Sequence, residues 1–263
     1  MFKAKNRLLT SILTTALICA PLVTWAANPY QSRNTHFGVS GSNVRDITIA
    51  FCCGGTLGSL LTDGTQQYIL SNNHILARED RAAVGEKISQ PGLIDNGCQR
   101  ATIVGNFTAA PKLGSNVDAA IAQLITGTMD STGYIEGIGT ISSTIAAPTA
   151  GLAVEKSGRT SQMRPRKKFV ISTNQVVVNS TTFSAGGDSG SLIVSDNTNH
   201  NPVALLFAGS SSTTIANPID EVLSKVGTAL GQSVSPPSRC MVLPPELRPC
   251  NSHNKQSITP REC

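Results

Sequence analysis

Apolar positions along this chain come in short runs. "TLGSLL", "QYILS", "ATIVGNF", "DAAIAQLI", "KFVISTNQVVV", "SLIVS" and "PVALLFAG" are each rich in Val, Ile, Leu or Thr, and Gly, Asn, Asp or Pro separates them. Runs of this length, β-branched and bounded by turn formers, predict strands. Their spacing predicts an all-β sandwich or barrel. One segment has helical periodicity instead. In "ANPIDEVLSKVGTALGQ", Asn217 is positioned to cap, Pro218 to take the first helical position, Asp220 and Glu221 the first turn, and Gly231 the stop. Ile219, Val222, Leu223, Val226 and Leu230 share one face, so this helix is expected to dock on a core.

The ends of the chain differ from its body. "MFKAKNRLLTSILTTALICAPLVTWAANP" has Lys3, Lys5 and Arg7, then an uncharged run from Leu8, then small residues at Thr24 and Ala26, the pattern of a secretory signal peptide. Ser, three Thr and Pro21 interrupt the run, which argues against a membrane anchor. The last segment, "SVSPPSRCMVLPPELRPCNSHNKQSITPREC", reads as an extended tail pinned by disulfides. A change of character near "ITGTMDSTGYIEG" divides the body into two halves, each with enough strands for a small barrel. The expected organisation is a signal peptide over residues 1–26, an N-terminal half over 27–130, a C-terminal half over 131–231 and a tail over 232–263.

Composition supports export. Charged residues make up 14% of the 263 positions, against about 25% in ordinary soluble domains. Without residues 1–26 the formal charge falls from +5 to +2, since three cations and no anions leave. The dense cationic run "RPRKK", Arg164 to Lys168, reads as a solvated hairpin tip and not as a nucleic-acid site. Beyond the signal peptide stand six cysteines, Cys52, Cys53, Cys98, Cys240, Cys250 and Cys263, an even number that favours disulfides in an oxidising compartment. Six cysteines allow 15 pairings; the adjacent Cys52 and Cys53 are expected to have separate partners. No Cys-x-x-Cys spacing or neighbouring His supports a metal site, and no cofactor is expected.

Candidate chemistry centres on "SAGGDSGSLIV", where glycines and serines surround one aspartate ahead of an apolar strand. A serine hydroxyl becomes a nucleophile only when a base takes its proton and a carboxylate orients that base. Of four histidines, His36 lies in a polar segment, His200 in the turn "DNTNHNP" and His253 in the tail; His74, between "QQYILSNN" and "ILA", stands at a strand end. Among the carboxylates between His74 and Ser189, Asp118 at the entrance of an apolar strand fits best, whereas Asp95 in "LIDNG" reads as a turn residue and Asp130 has no such placement.

The order His74, Asp118, Ser189, with Gly-Asp-Ser-Gly at the serine and "SNNHIL" at the histidine, resembles the chymotrypsin-like serine peptidases, and among them the exported bacterial members. The resemblance covers the body from Thr48 to Leu230. It implies two six-stranded antiparallel β-barrels with a C-terminal helix, followed here by the Cys- and Pro-rich tail. It implies hydrolysis of a polypeptide substrate, with Ser189 as nucleophile, His74 as general base and acid, Asp118 as the group that orients it, and the N–H groups of Gly187 and Ser189 as oxyanion hole. It places Phe183, Phe207, Ala208 and Gly209 around the substrate. With Phe183 where tryptic members have an aspartate, a small or apolar side chain is expected there in place of Arg or Lys. In animal members the aspartate before the serine pairs with a freed N-terminus; no internal activation sequence is found here, which leaves Asp188 without an assigned partner. "VEKSGRTSQ" resembles the turn that opens the second barrel of bacterial members, and reads as a hairpin loop. Two rival readings stand beside this one. A lipase-type elbow needs a glycine where Ser191 stands. A binding or adhesive module that keeps the fold without turnover is the other.

Overall fold

The computed structural model describes residues 31–49, 51–172 and 175–238, without the side chains of 165–172. The signal-peptide expectation and the pairing of Cys240, Cys250 and Cys263 therefore lie outside the described residues. Every named strand pair is antiparallel. Strands β1 (Val39–Asn43), β2 (Gly55–Leu57), β3 (Ser59–Thr62), β4 (Gln67–Ser71), β5 (Lys87–Gln90), β6 (Thr102–Ala109) and β7 (Ala120–Leu124) form one sheet in the order β2-β1-β5-β6-β7-β4-β3. Its two edge strands, β2 and β3, are one stretch interrupted at Gly58, so the sheet curls round on itself as a barrel. A two-stranded ribbon, β8 (Tyr134–Ile135) with β9 (Gly139–Thr140), comes next. A closed barrel follows, in which β10 (Ala153–Lys156), β11 (Arg164–Ser172), β12 (Gln175–Asn179), β13 (Leu192–Ser195), β14 (Pro202–Gly209) and β15 (Thr213–Pro218) run in the order β10-β11-β12-β15-β14-β13. The chain is mostly β, with two barrel-like sheets, as the sequence predicts.

One apolar cluster fills the first barrel around Leu60, Ile69, Leu70, Ile88 and Ile121 and continues through Leu192, Val194 and Leu205 of the second. A smaller one, with Val154, Val176, Phe183, Ile193 and Leu206, lies within the second barrel. A one-turn helix, α1 (Asn73–Leu76), follows β4 directly, and α2 (Ile219–Leu230) ends the described body. Ile219, Val222 and Val226 are buried in the larger cluster, Leu223 and Leu230 pack against it, and Gly231 closes the helix at φ 78°. The predicted face and stop hold; the predicted cap does not. Asn217 belongs to β15, and Pro218 occupies the N-cap without a side-chain bond. The "RPRKK" run opens β11 and is not at a hairpin tip.

The turn between β3 and β4 shows how polar residues fix strand register. One carboxylate oxygen of Asp63 accepts bonds from the Thr65 and Gln66 amides and the Thr65 hydroxyl, and the other from the Tyr68 hydroxyl at 2.8 Å. Burial pushes the Asp63 carboxyl up, but these bonds outweigh it and hold the group at about 2. Burial and the adjacent carboxylate push Tyr68 up to about 12. An aspartate depressed in the folded state contributes stability above its unfolded pKa of about 3.9 and loses it as pH falls through the folded value. Asp63→Ala is therefore expected to lower the melting temperature at neutral pH, with the gap to wild type closing as pH falls from about 4 towards 2. Thermal melts across that range check this; a constant gap contradicts it.

Cys52 is bonded to Cys98, 46 residues away, which ties the segment leading into β2 to the turn before β6. Cys53 is a free, exposed thiol among the described residues, so the neighbours do not share a partner.

Candidate active site

The expected histidine, aspartate and serine come from three separate elements. β4 ends at Ser71, and the turn of α1 presents His74 immediately after it. Asp118 precedes β7, which pairs with β4, so that pairing brings the two side chains side by side. The Nδ1 of His74 lies 2.5 Å from Asp118 Oδ2, and the His74 amide donates to Asp118 Oδ1 at 3.3 Å. With the carboxylate as acceptor, Nδ1 carries a proton and Nε2 keeps its lone pair. Asn72 donates to the Asp118 carbonyl, and Asn217 accepts from the Asp118 amide at 2.9 Å while donating to the Asn116 carbonyl at 2.8 Å. Asn217, which is 1% exposed, thus positions the aspartate from the second barrel. In the sequence the place of Asn217 just before Pro218 has the pattern of a helix cap, which hides this role.

Ser189 sits on the turn leading into β13. Its carbonyl accepts from the Thr56 amide of β2 at 2.8 Å. A side chain on Gly55 would strike both Ile75, next to His74, and that Ser189 carbonyl, so the two turns border one point. Gly190 has φ +93°, and a Cβ there would fall 2.2 Å from the Ser71 hydroxyl and the Thr56 carbonyl. Only glycine allows the serine turn this close to the first barrel. The Ser189 hydroxyl donates a long 3.5 Å bond to the Phe207 carbonyl. Among the described residues, the N–H groups of Gly187 and Ser189 make no hydrogen bond.

Behind this turn lies Asp188. It is fully buried, and its partner is Lys156 at the end of β10, also fully buried, with Nζ 2.6 Å from Asp188 Oδ2. The Thr160, Ser161 and Ala185 amides and the Ser161 hydroxyl donate to the same carboxylate. Burial pushes the Asp188 carboxyl up, but the Lys156 ammonium and these bonds outweigh it and hold it below the usual carboxylate range. The loop "VEKSGRTSQ" is a hairpin connection between β10 and β11, as read, and it also supplies this cation. A second buried pair was missed outright. Asp95, expected in a turn, is 4% exposed and takes a two-pronged contact from Arg159, at 2.5 Å and 2.6 Å.

Beside Ser189 opens a cavity of about 600 Å³ lined by Ala185, Gly186, Leu206, Ala208 and Gly209, with the hydroxyl-bearing Thr181, Ser184, Ser210 and Ser211. Ala208 and Gly209 are among its lining residues. Phe183 does not: it is fully buried in the second core, and Phe207 contributes its carbonyl to Ser189 instead. Among the described residues that line it none is charged, and the Ser184 hydroxyl is paired with that of Thr214 at 2.5 Å. His36 contacts Glu136 and His200 lies 2.8 Å from Glu155, both away from this cleft. Among the described residues no cluster of three His, Cys, Asp or Glu is placed to hold a metal ion.

No family model matches the chain, and no curated protein matches it in sequence. Solved structures do match it in shape. A glutamic-acid-specific serine protease that uses a histidine triad in substrate binding has a TM-score of 0.53 at 18% identity, covering 76% of this chain and 98% of that one. Protease A of Thermobifida fusca has a TM-score of 0.49 at 16% identity, covering 73% and 96%. A homologue of alpha-lytic protease has 0.48 at 17%, covering 76% and 98%. The chain has the chymotrypsin-like two-barrel fold of the first of these structures.

Proposed function

We propose that the chain is an exported serine endopeptidase in which Ser189, His74 and Asp118 carry out acyl transfer. The observation that carries the proposal is the His74–Asp118 bond beside a serine turn with two unpaired backbone N–H groups. In the reaction the Ser189 hydroxyl leaves the Phe207 carbonyl and passes its proton to Nε2 of His74 as Oγ attacks the substrate carbonyl carbon. Asp118 accepts from Nδ1 throughout, keeping Nε2 basic and then stabilising the imidazolium. The carbonyl oxygen, now an anion, takes bonds from Gly187 and Ser189. His74 then protonates the departing amine as the carbon–nitrogen bond breaks. Water, deprotonated by the same Nε2, then attacks the acyl carbon, and His74 returns that proton to Ser189 Oγ as the acyl carbon–oxygen bond breaks.

The Phe207–Gly209 end of β14 is suited to pair with an extended substrate backbone, and the cavity beside it receives the side chain ahead of the scissile bond. Its described walls carry no charge and favour an uncharged, mainly apolar side chain, since a buried charge there would find no counter-ion. Among the described residues no histidine lines the cavity, so the glutamate preference of the first structural neighbour is not proposed here. Digestion of a mixed peptide library, with products sequenced by mass spectrometry, is expected to show cuts after residues such as Leu, Met or Phe. Cuts concentrated after Lys, Arg, Asp or Glu contradict this pocket assignment, and no cuts at all contradict the peptidase reading.

A further inference from the structure

An oxyanion hole works only if its N–H groups are held facing the substrate before the charge forms. A trans peptide points its C=O and N–H in opposite directions, so the way to aim an N–H is to anchor the carbonyl of the same unit. For Ser189 the anchor is local: the Asp188 carbonyl accepts from the Ser191 amide at 3.0 Å and the Ser191 hydroxyl at 2.7 Å. For Gly187 the anchor comes from another loop. The Gly186 carbonyl accepts from the Thr160 hydroxyl at 2.6 Å.

We infer that Thr160 is a positioning residue for the Gly187 donor, with its hydroxyl set in the required sense by the Asp95–Arg159 pair. This rests on the peptidase reading above. A hydroxyl has one proton to give. Arg159 Nη1, which can only donate, lies 3.1 Å from Thr160 Oγ1 and occupies that oxygen as acceptor, so the single proton goes to the Gly186 carbonyl. Arg159 is in turn fixed through Nε and Nη2 by Asp95, which also accepts from Ser40 of β1 at 2.5 Å. The chain of contacts thus runs from the first barrel, through a buried ion pair and one hydroxyl, to the peptide unit that carries the Gly187 N–H. Two further bonds hold the same loop: the Thr160 amide donates to Asp188, and the Thr56 hydroxyl donates to the Gly187 carbonyl at 3.0 Å. Gly187 itself has φ +96°, and a Cβ there would meet Thr160 Oγ1 at 2.6 Å and Arg159 Nη1 at 2.9 Å, so the fit between the loops is close.

The test compares wild type, Thr160→Val and Thr160→Ser for kcat and KM on a chromogenic peptide, and for affinity towards a peptide boronic acid and a reduced-amide peptide that has no carbonyl oxygen. Losing the hydroxyl's bond to the Gly186 carbonyl, together with the bond it accepts from Arg159, predicts a fall in kcat of about five- to tenfold for the valine variant. KM and reduced-amide affinity stay at wild-type values, boronate affinity falls with kcat, and serine restores both. Wild-type kcat in Thr160→Val overturns the inference, as does a loss shared equally by reduced-amide binding or one that serine fails to restore. Absence of turnover by wild type overturns the peptidase reading and the inference with it, an outcome separable from a wild type that turns over alongside an indifferent Thr160→Val.

Discussion

Lys156→Met is expected to lower kcat/KM by about two to three orders of magnitude and to destabilise the fold by about 3 to 5 kcal/mol. The two effects share one cause. Lys156 and Asp188 are both fully buried, and removing the cation leaves a carboxylate in the interior with amides and one hydroxyl but no counter-charge. That carboxylate belongs to the residue between Gly187 and Ser189, so any shift that lets it reach water or a proton displaces both N–H groups proposed to bind the oxyanion. Because the ammonium belongs to an internal side chain, the pair forms without a freed N-terminus. Lys156→Met combined with Asp188→Asn removes the uncompensated charge and is expected to recover much of the melting temperature. Thermal melts and kcat/KM on the two variants check this; a Lys156→Met protein with wild-type stability and rate contradicts the role given to the pair.

Asp118→Asn is expected to reduce kcat by about 10⁴-fold while leaving the fold and KM near wild type. The asparagine amide has the size of the carboxylate, but its NH2 end donates where Nδ1–H of His74 now donates. The ring is then pushed towards the tautomer with its proton on Nε2, which cannot accept from Ser189. Asn72 and Asn217 hold residue 118 through its backbone, so the substitution does not free the strand. Steady-state kinetics decide this, and a loss of less than about tenfold removes Asp118 from its assigned place.

The strands that announce themselves in the sequence are those with apolar inward faces. β1 and β10 do not. Ser40, Ser42 and Asn43 of β1 are buried, yet each is satisfied: Ser40 bonds Asp95 and the Gly92 amide, Ser42 the Leu93 amide, and Asn43 the Leu76 carbonyl and Glu86. A buried polar strand held by side-chain bonds has no period-two hydrophobic signal to find. β10 ends in Glu155 and Lys156 for the same reason, and its charge is legible only once Asp188 is known to face it. The residues of the proposed triad were visible because their order and flanking glycines are a pattern in one dimension. The groups that hold them were not. Asp95 meets Arg159 across 64 positions and Asn217 meets Asp118 across 99, contacts that exist only after both barrels close. Phe183 was misplaced for a related reason, since position relative to Ser189 does not tell which face of a loop turns inward.

The central claim is that the Ser189 hydroxyl is activated by His74. Incubating the folded, disulfide-intact protein with a fluorophosphonate and measuring intact mass tests it most directly. One adduct is expected, mapped to Ser189 and formed orders of magnitude more slowly in His74→Ala. No adduct on the folded protein, or one that forms as fast without the imidazole, would contradict it.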